Sequence, residues 1–195
     1  MQDFNILLFD GFETLDAMGP AEIIGEMPEA FRLHYASLGG GIVTSAQGLR
    51  VETVPASDIA AGGILLIPGG IGTRTLVEDT QAMREITALV RGSDHTLSVC
   101  TGALVLGKTS LLDGRKATTN KQLFQLVADA NPGVRWQRQA RWVVDGKYYT
   151  SSGVTAGMDM VLGFVSDTIN YQAAKTAANN MEYQWNEDKT LDLFA

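Results

Sequence analysis

The chain has 195 residues, is 45% hydrophobic and 19% charged, and carries a formal net charge of −7. That length suits one domain, residues 1–195, built around one core. The negative balance argues against a nucleic acid or an anionic membrane as partner, because both need clustered Lys and Arg. No apolar run reaches membrane-spanning length, and the first residues show neither a basic region nor a cleavage site, so a cytoplasmic location is expected. The one cysteine, Cys100, cannot form an internal disulfide.

In chain order, Asn5–Phe9 reads as a buried strand that turns at Asp10-Gly11 into a helix from Glu13 to Met27, ended by Pro28. Phe31–Leu38 is a second strand. The glycines 39–41 lead into Ile42–Ser45 and Leu49–Val54, a hairpin. Ile64–Ile67 is a short buried strand that breaks at Pro68-Gly69-Gly70. Met83, Ile86, Leu89 and Val90 recur at helical spacing. His95–Val99 is a strand running into Cys100, and a small-residue helix begins at Ala103. Lys121–Ala130 reads as a helix. Arg141–Val144 and Lys147–Thr150 pair around Asp145-Gly146, a strong hairpin turn. Val154–Ile169 is an apolar, deeply buried helix, and the segment from Tyr171 is helical and then frays. Strands alternating with helices predict a largely parallel sheet covered on both faces.

The run Ser98-Val99-Cys100-Thr101-Gly102 follows a strand and opens a helix, the pattern of a nucleophile elbow with Cys in the reactive position. Such a turn lifts the side chain above the carboxyl edge of the sheet, where clefts form. The helix N-terminus beneath it is expected to favour thiolate over thiol. A Cys nucleophile usually takes a His base, but the chain holds two histidines, neither well placed. His95 starts the same strand, roughly 16 Å from Cys100 at about 3.3 Å per residue. His34 lies on another strand with no motif around it. A carboxylate is the remaining acid/base candidate. Of Glu13 and Asp16, Asp16 has the more apolar neighbours, although an acid there also fits a plain first-turn helix residue. The N–H groups of Thr101 and Gly70, at neighbouring strand ends, are candidate oxyanion donors. The Gly69-Gly70 loop lacks a P-loop lysine, so nucleotide binding is not indicated.

Five blocks carry a resemblance: Leu15-Asp16-Ala17-Met18-Gly19-Pro20, Ile67-Pro68-Gly69-Gly70, Ser98 to Gly102, Leu111 to Thr119, and Ser152 to Gly157. In that order they resemble the ThiJ/PfpI family of the class I glutamine amidotransferase-like superfamily, along nearly the whole chain and nearest to its isonitrile-hydrating branch. The resemblance implies a flavodoxin-like three-layer sandwich and a homodimer. It pairs Cys100 as nucleophile with Asp16, sets Thr101 beside them, and puts Val154 near the thiolate. Two features depart from it. Asn120 stands where many relatives have His, and Gln184-Trp185-Asn186-Glu187 replaces a proline-containing stretch. Relatives of the AraC type add a C-terminal DNA-binding module that is not expected here. The expected partner is a small-molecule substrate.

The leading expectation is hydration of an isonitrile to an N-substituted formamide through a thioimidate on Cys100, with Asp16 moving the proton and neither metal nor cofactor required. Glyoxalase- or deglycase-type action on α-oxoaldehydes is a second expectation. A third is non-enzymatic: a redox sensor oxidised at Cys100, or a ligand-binding regulator.

Overall fold

The computed structural model describes residues 1–195. The chain runs β1 (Gln2–Leu7), α1 (Thr14–Gly25), β2 (Phe31–Ser37), β3 (Gly41–Thr44), β4 (Arg50–Pro55), β5 (Ile64–Ile67), α2 (Thr73–Leu76) and α3 (Thr80–Gly92). It continues with β6 (His95–Ser98), α4 (Gly102–Lys108), β7 (Lys116–Ala117), α5 (Phe124–Ala130), β8 (Arg135–Trp136), β9 (Trp142–Asp145), β10 (Tyr148–Ser151), α6 (Ala156–Thr168) and α7 (Tyr171–Asn180).

Eight strands form one sheet in the order β3-β4-β2-β1-β5-β6-β10-β9. Its inner pairs are parallel. The edge strands β3 and β9 run antiparallel to their neighbours, as the two hairpins require. The sheet is covered on both sides, and β5 at its centre is apolar throughout. Along β5, Ile64 and Leu66 enter one core while Leu65 and Ile67 enter the other, the period-two alternation of a strand. The first core packs α1, α6 and α7 against the sheet through Ile23, Ile24, Met160, Phe164 and Ala177. The second packs α3 and α4 through Ile86, Val90, Val105 and Leu106. This is the largely parallel, two-faced sheet that the alternation of elements predicts, in the flavodoxin-like sandwich that the family resemblance implies.

Beyond a β1 that starts at Gln2 and the unexpected short α2, three local details differ from the sequence reading. The short parallel pair β7–β8 was not legible, since two residues carry no periodicity. The predicted helix over 121–130 begins at Phe124, because Lys121 is drawn inward: its Nζ donates to Thr118 Oγ1 and to the Ala140 carbonyl, both at 2.7 Å.

The third is the tail after α7, which does not fray. Buried Asp159 of α6 accepts from Tyr183 Oη and from the Asn186 N–H, each at 3.0 Å, and its carbonyl accepts from Trp185 Nε1. Further on, the N–H of Arg141 reaches the Lys189 carbonyl and the N–H of Asp192 reaches the Gln139 carbonyl. Arg141 closes the arrangement through Nε, 2.7 Å from Asp159 Oδ2. The Asp159 side chain is 0% exposed and that of Arg141 11%. Removing one partner of a buried pair leaves the other charge uncompensated. Arg141→Met is therefore expected to cost about 3–5 kcal/mol in urea unfolding. A loss below about 1 kcal/mol, the range of an exposed ion pair, would show that the pair does not hold the tail.

Candidate active site

The strand order places β1, β5 and β6 side by side, so the loops leaving their carboxyl ends meet. The first leads into Asp16 in the opening turn of α1, and the other two carry Gly69-Gly70 and Cys100. The elbow is stitched to both neighbours of β6. The N–H of Val99 donates to the Ile67 carbonyl at 3.1 Å, and that of Cys100 to the Ser152 carbonyl at 3.0 Å. Cys100 sits at φ +56°, in the left-handed region that costs a non-glycine residue roughly 1–2 kcal/mol. Its carbonyl accepts from Thr119 Oγ1 at 2.8 Å, so the strained turn is gripped from a third side. A Cβ on Gly102 would overlap the Ile67 carbonyl. Only glycine lets α4 start this close to β5.

Asp16, in the first turn of α1, is fully buried. Its Oδ2 accepts the Gly69 N–H at 2.9 Å, and its Oδ1 has no nitrogen or oxygen donor. The side chain beside it is the Cys100 thiol. Burial raises the Asp16 carboxyl to about 7; the Gly69 N–H pulls it down, the Glu13 charge adds to the rise, and the thiol lowers it. Burial likewise pushes the Cys100 thiol up to about 12, and the Asp16 charge adds to this. Opposing them are the Thr101 N–H, the Asn120 amide and the Thr101 hydroxyl, all close to the sulfur.

The sequence-based expectation of a thiol poised as thiolate by its helix is thus corrected. The desolvation of a buried anion and the nearby carboxylate outweigh the start of a short helix. Sulfur and carboxyl behave as one unit. Both resist a second negative charge, so one proton is held between them above neutral pH.

Thr101 is buried, with its N–H towards the sulfur. Gly70, the other expected oxyanion donor, gives its N–H to Thr101 Oγ1 at 3.0 Å and so ties the glycine loop to the elbow. Gly70 takes φ +119°, and a Cβ there would strike the Glu13 and Gly11 backbone. Val154 stands in the loop between β10 and α6. It lines a polar cavity of about 330 Å³ with Asn120, Ser152 and Gly153, residues that adjoin the elbow. The neighbouring Lys121 and Arg141 are already engaged as described above.

The histidines stay apart from this site. His34 pairs with Asp3 at 3.0 Å, and His95 packs edge-on against Phe164 at the opposite end of β6. No group of three or more His, Cys, Asp and Glu side chains is placed to hold a metal ion. Sequence reasoning missed four contributors: the Gly69 N–H, Thr119, the Ser152 carbonyl and the Asn120 amide. All belong to the matched blocks or their edges, but which atom each presents depends on the sheet order.

A lone cysteine on a strained strand-to-helix turn, facing a buried carboxylate across neighbouring loops of a parallel sandwich, defines a Cys-elbow α/β protein. The model of the DJ-1/PfpI family matches residues 4–167, and the chain belongs to that family. Isonitrile hydratase from Pseudomonas putida is 31% identical over 178 residues, 91% of this chain and 76% of that protein. A deglycase from Thermococcus kodakarensis is 29% identical over 149 residues, 75% of this chain and 87% of that one. Among solved structures, a ThiJ/PfpI family protein from Pseudomonas syringae superposes with a TM-score of 0.86 at 26% identity, covering 95% of this chain and 76% of that chain. The family also includes transcriptional regulators. No helix is long and apolar enough to cross a membrane.

Proposed function

We propose that the protein hydrates an isonitrile to an N-substituted formamide. The observation that carries this reading is the buried Cys100–Asp16 pair with no imidazole in reach. An isonitrile carbon is an electrophile that becomes strongly basic once attacked, so it needs a nucleophile and one movable proton. The pair supplies both. The likeness to the P. putida isonitrile hydratase supports the same substrate class.

As Asp16 takes the thiol proton, the sulfur lone pair bonds to the terminal carbon of R–N≡C. The N–H of Thr101 offsets charge on the departing thiolate. Asp16 returns the proton to that carbon, giving the thioimidate R–N=CH–S. Asp16 then accepts a proton from water as the water oxygen bonds to the same carbon, and passes that proton to the nitrogen; the remaining hydroxyl proton is the one that returns to the pair as the adduct collapses. The C–S bond breaks, releasing R–NH–CHO and restoring one proton to the pair. Atoms balance as isonitrile plus water. The cavity beside Asn120 and Val154 receives the R group.

The deglycase reading uses the same cysteine and is favoured by the archaeal relative. An α-oxoaldehyde rearrangement would gain from a second acid/base group, and His34 and His95 are both remote from the thiol. Purified protein given an alkyl isonitrile is expected to accumulate the formamide in NMR spectra, with none formed by Cys100→Ala. No formamide from the wild type overturns the reading, and methylglyoxal consumption in its place would favour the deglycase. A homodimer is part of the proposal; a single-chain mass in light scattering would contradict it.

A further inference from the structure

We propose that Asn120 is a further catalytic residue, whose side-chain N–H donates to the Cys100 sulfur and holds it without exchanging a proton. The inference rests on Cys100 being the nucleophile, and not on the identity of its substrate.

The placement comes from two grips on the preceding residues. The N–H of Thr118 donates to Thr150 Oγ1 at 2.9 Å, and Thr119 Oγ1 donates to the Cys100 carbonyl at 2.8 Å. Asn120 is therefore fixed directly after the residue that clasps the elbow. Its Oδ1 accepts the Leu123 N–H at 3.0 Å, in the turn that opens α5. This settles which end of the amide is which. With the oxygen committed to the helix start, the nitrogen faces the opposite way. It lies 3.1 Å from where a Cβ on Gly153 would stand. Gly153 is what leaves room for the amide.

An amide carries two N–H groups and does not titrate near neutral pH. It stabilises a thiolate as an imidazolium would, but it cannot take the thiol proton. That proton can pass only to Asp16, and this division of labour explains how the elbow operates without histidine. Asn120 is also among the groups that draw the buried thiol back down. The charged groups around the sulfur are few. Asp16 faces it from α1, with Glu13 behind. The ammonium of Lys121 is turned away onto Thr118 and Ala140, and Arg141 is held by Asp159.

Two variants separate this role from helix capping. Asn120→Ser keeps a neutral cap but is too short to reach the sulfur. Asn120→Asp keeps the shape and the cap and has no N–H to give. Alkylation of Cys100 by iodoacetamide is followed from pH 6 to 10 in the full-length protein, with thermal unfolding alongside. Both variants are expected to alkylate at least about tenfold more slowly near neutral pH, equivalent to a thiol shifted up by about one pKa unit. Their melting temperatures should stay within a few degrees of wild type. Wild-type alkylation rates and pH profile in Asn120→Ser overturn the proposal, whatever the isonitrile assay returns. A drop confined to Asn120→Asp also overturns it, since added charge alone would then explain the effect.

Discussion

Asp16→Asn is expected to cut isonitrile turnover by about 10²–10⁴-fold, the range for losing a positioned acid/base, while making the protein more stable. The two effects share one cause. Asn keeps an oxygen for the Gly69 N–H, so the local geometry survives. It removes a carboxyl raised from 3.8 to about 7 by burial. The folded state therefore holds a proton on Asp16 that the unfolded chain releases. For a raised carboxyl this contribution is complete below the unfolded value near 4 and is lost as pH rises through about 7. Across that window the wild type should lose a few kcal/mol that the variant retains. At pH 8 the variant should melt about 5–10 °C higher, by the usual few degrees per kcal/mol. At pH 4 the two should nearly coincide. The wild-type rate should climb through pH 7 as Asp16 becomes able to accept the thiol proton. Equal melting temperatures at both pH values would show that the carboxylate carries no buried charge. Unchanged turnover would remove Asp16 from the mechanism.

The second large effect is at Gly102. A Cβ there meets the Ile67 carbonyl and comes within 3.0 Å of the Pro68 carbonyl, both backbone atoms of the central strand β5 and its exit. Neither can swing aside as a side chain would. Gly102→Ala must push α4 away from the sheet and carry Cys100 and Thr101 with it. A loss of about 3 kcal/mol or more is expected in urea unfolding, together with loss of turnover in whatever fraction stays folded. Gly25→Ala is the matched control, because nothing lies within 4 Å of its would-be Cβ. At that helix end alanine should be neutral or mildly stabilising. Equal behaviour of the two variants would show that the elbow does not need close contact between helix and strand.

The centre of the fold was readable because its signals are local. A four-residue apolar run bounded by glycine and proline marks β5, the run from His95 into the Cys100 turn marks β6, and Asp145-Gly146 marks the hairpin of the far edge. The elbow was readable for the same reason: Cys100 falls between a strand and a glycine-started helix, and its φ of +56° is the strain such a turn imposes. Asp16 stood out by its apolar neighbours. What was not readable depends on adjacency. Gly69 and Gly70 are equivalent in sequence, yet one N–H serves Asp16 and the other Thr101, a choice made by β1 and β6 flanking β5. The thiol was misjudged because the helix-start effect can be read from a motif, whereas burial among three loops cannot. Asn120 shows only as a missing histidine until Leu123 is seen to fix its oxygen. The tail reads as polar and loose, but the polar ends of Tyr183 and Trp185 find Asp159 on a distant helix.

The central claim is that Cys100 bonds to the isonitrile carbon during turnover. Rapid acid quenching of the wild-type protein with excess isonitrile, followed by intact and peptide mass measurement, tests it most directly. The predicted result is a species heavier by one isonitrile molecule, located on the Cys100 peptide and absent from Cys100→Ser. Formamide produced while Cys100 stays unmodified at every quench time, or produced equally by Cys100→Ser, would contradict it.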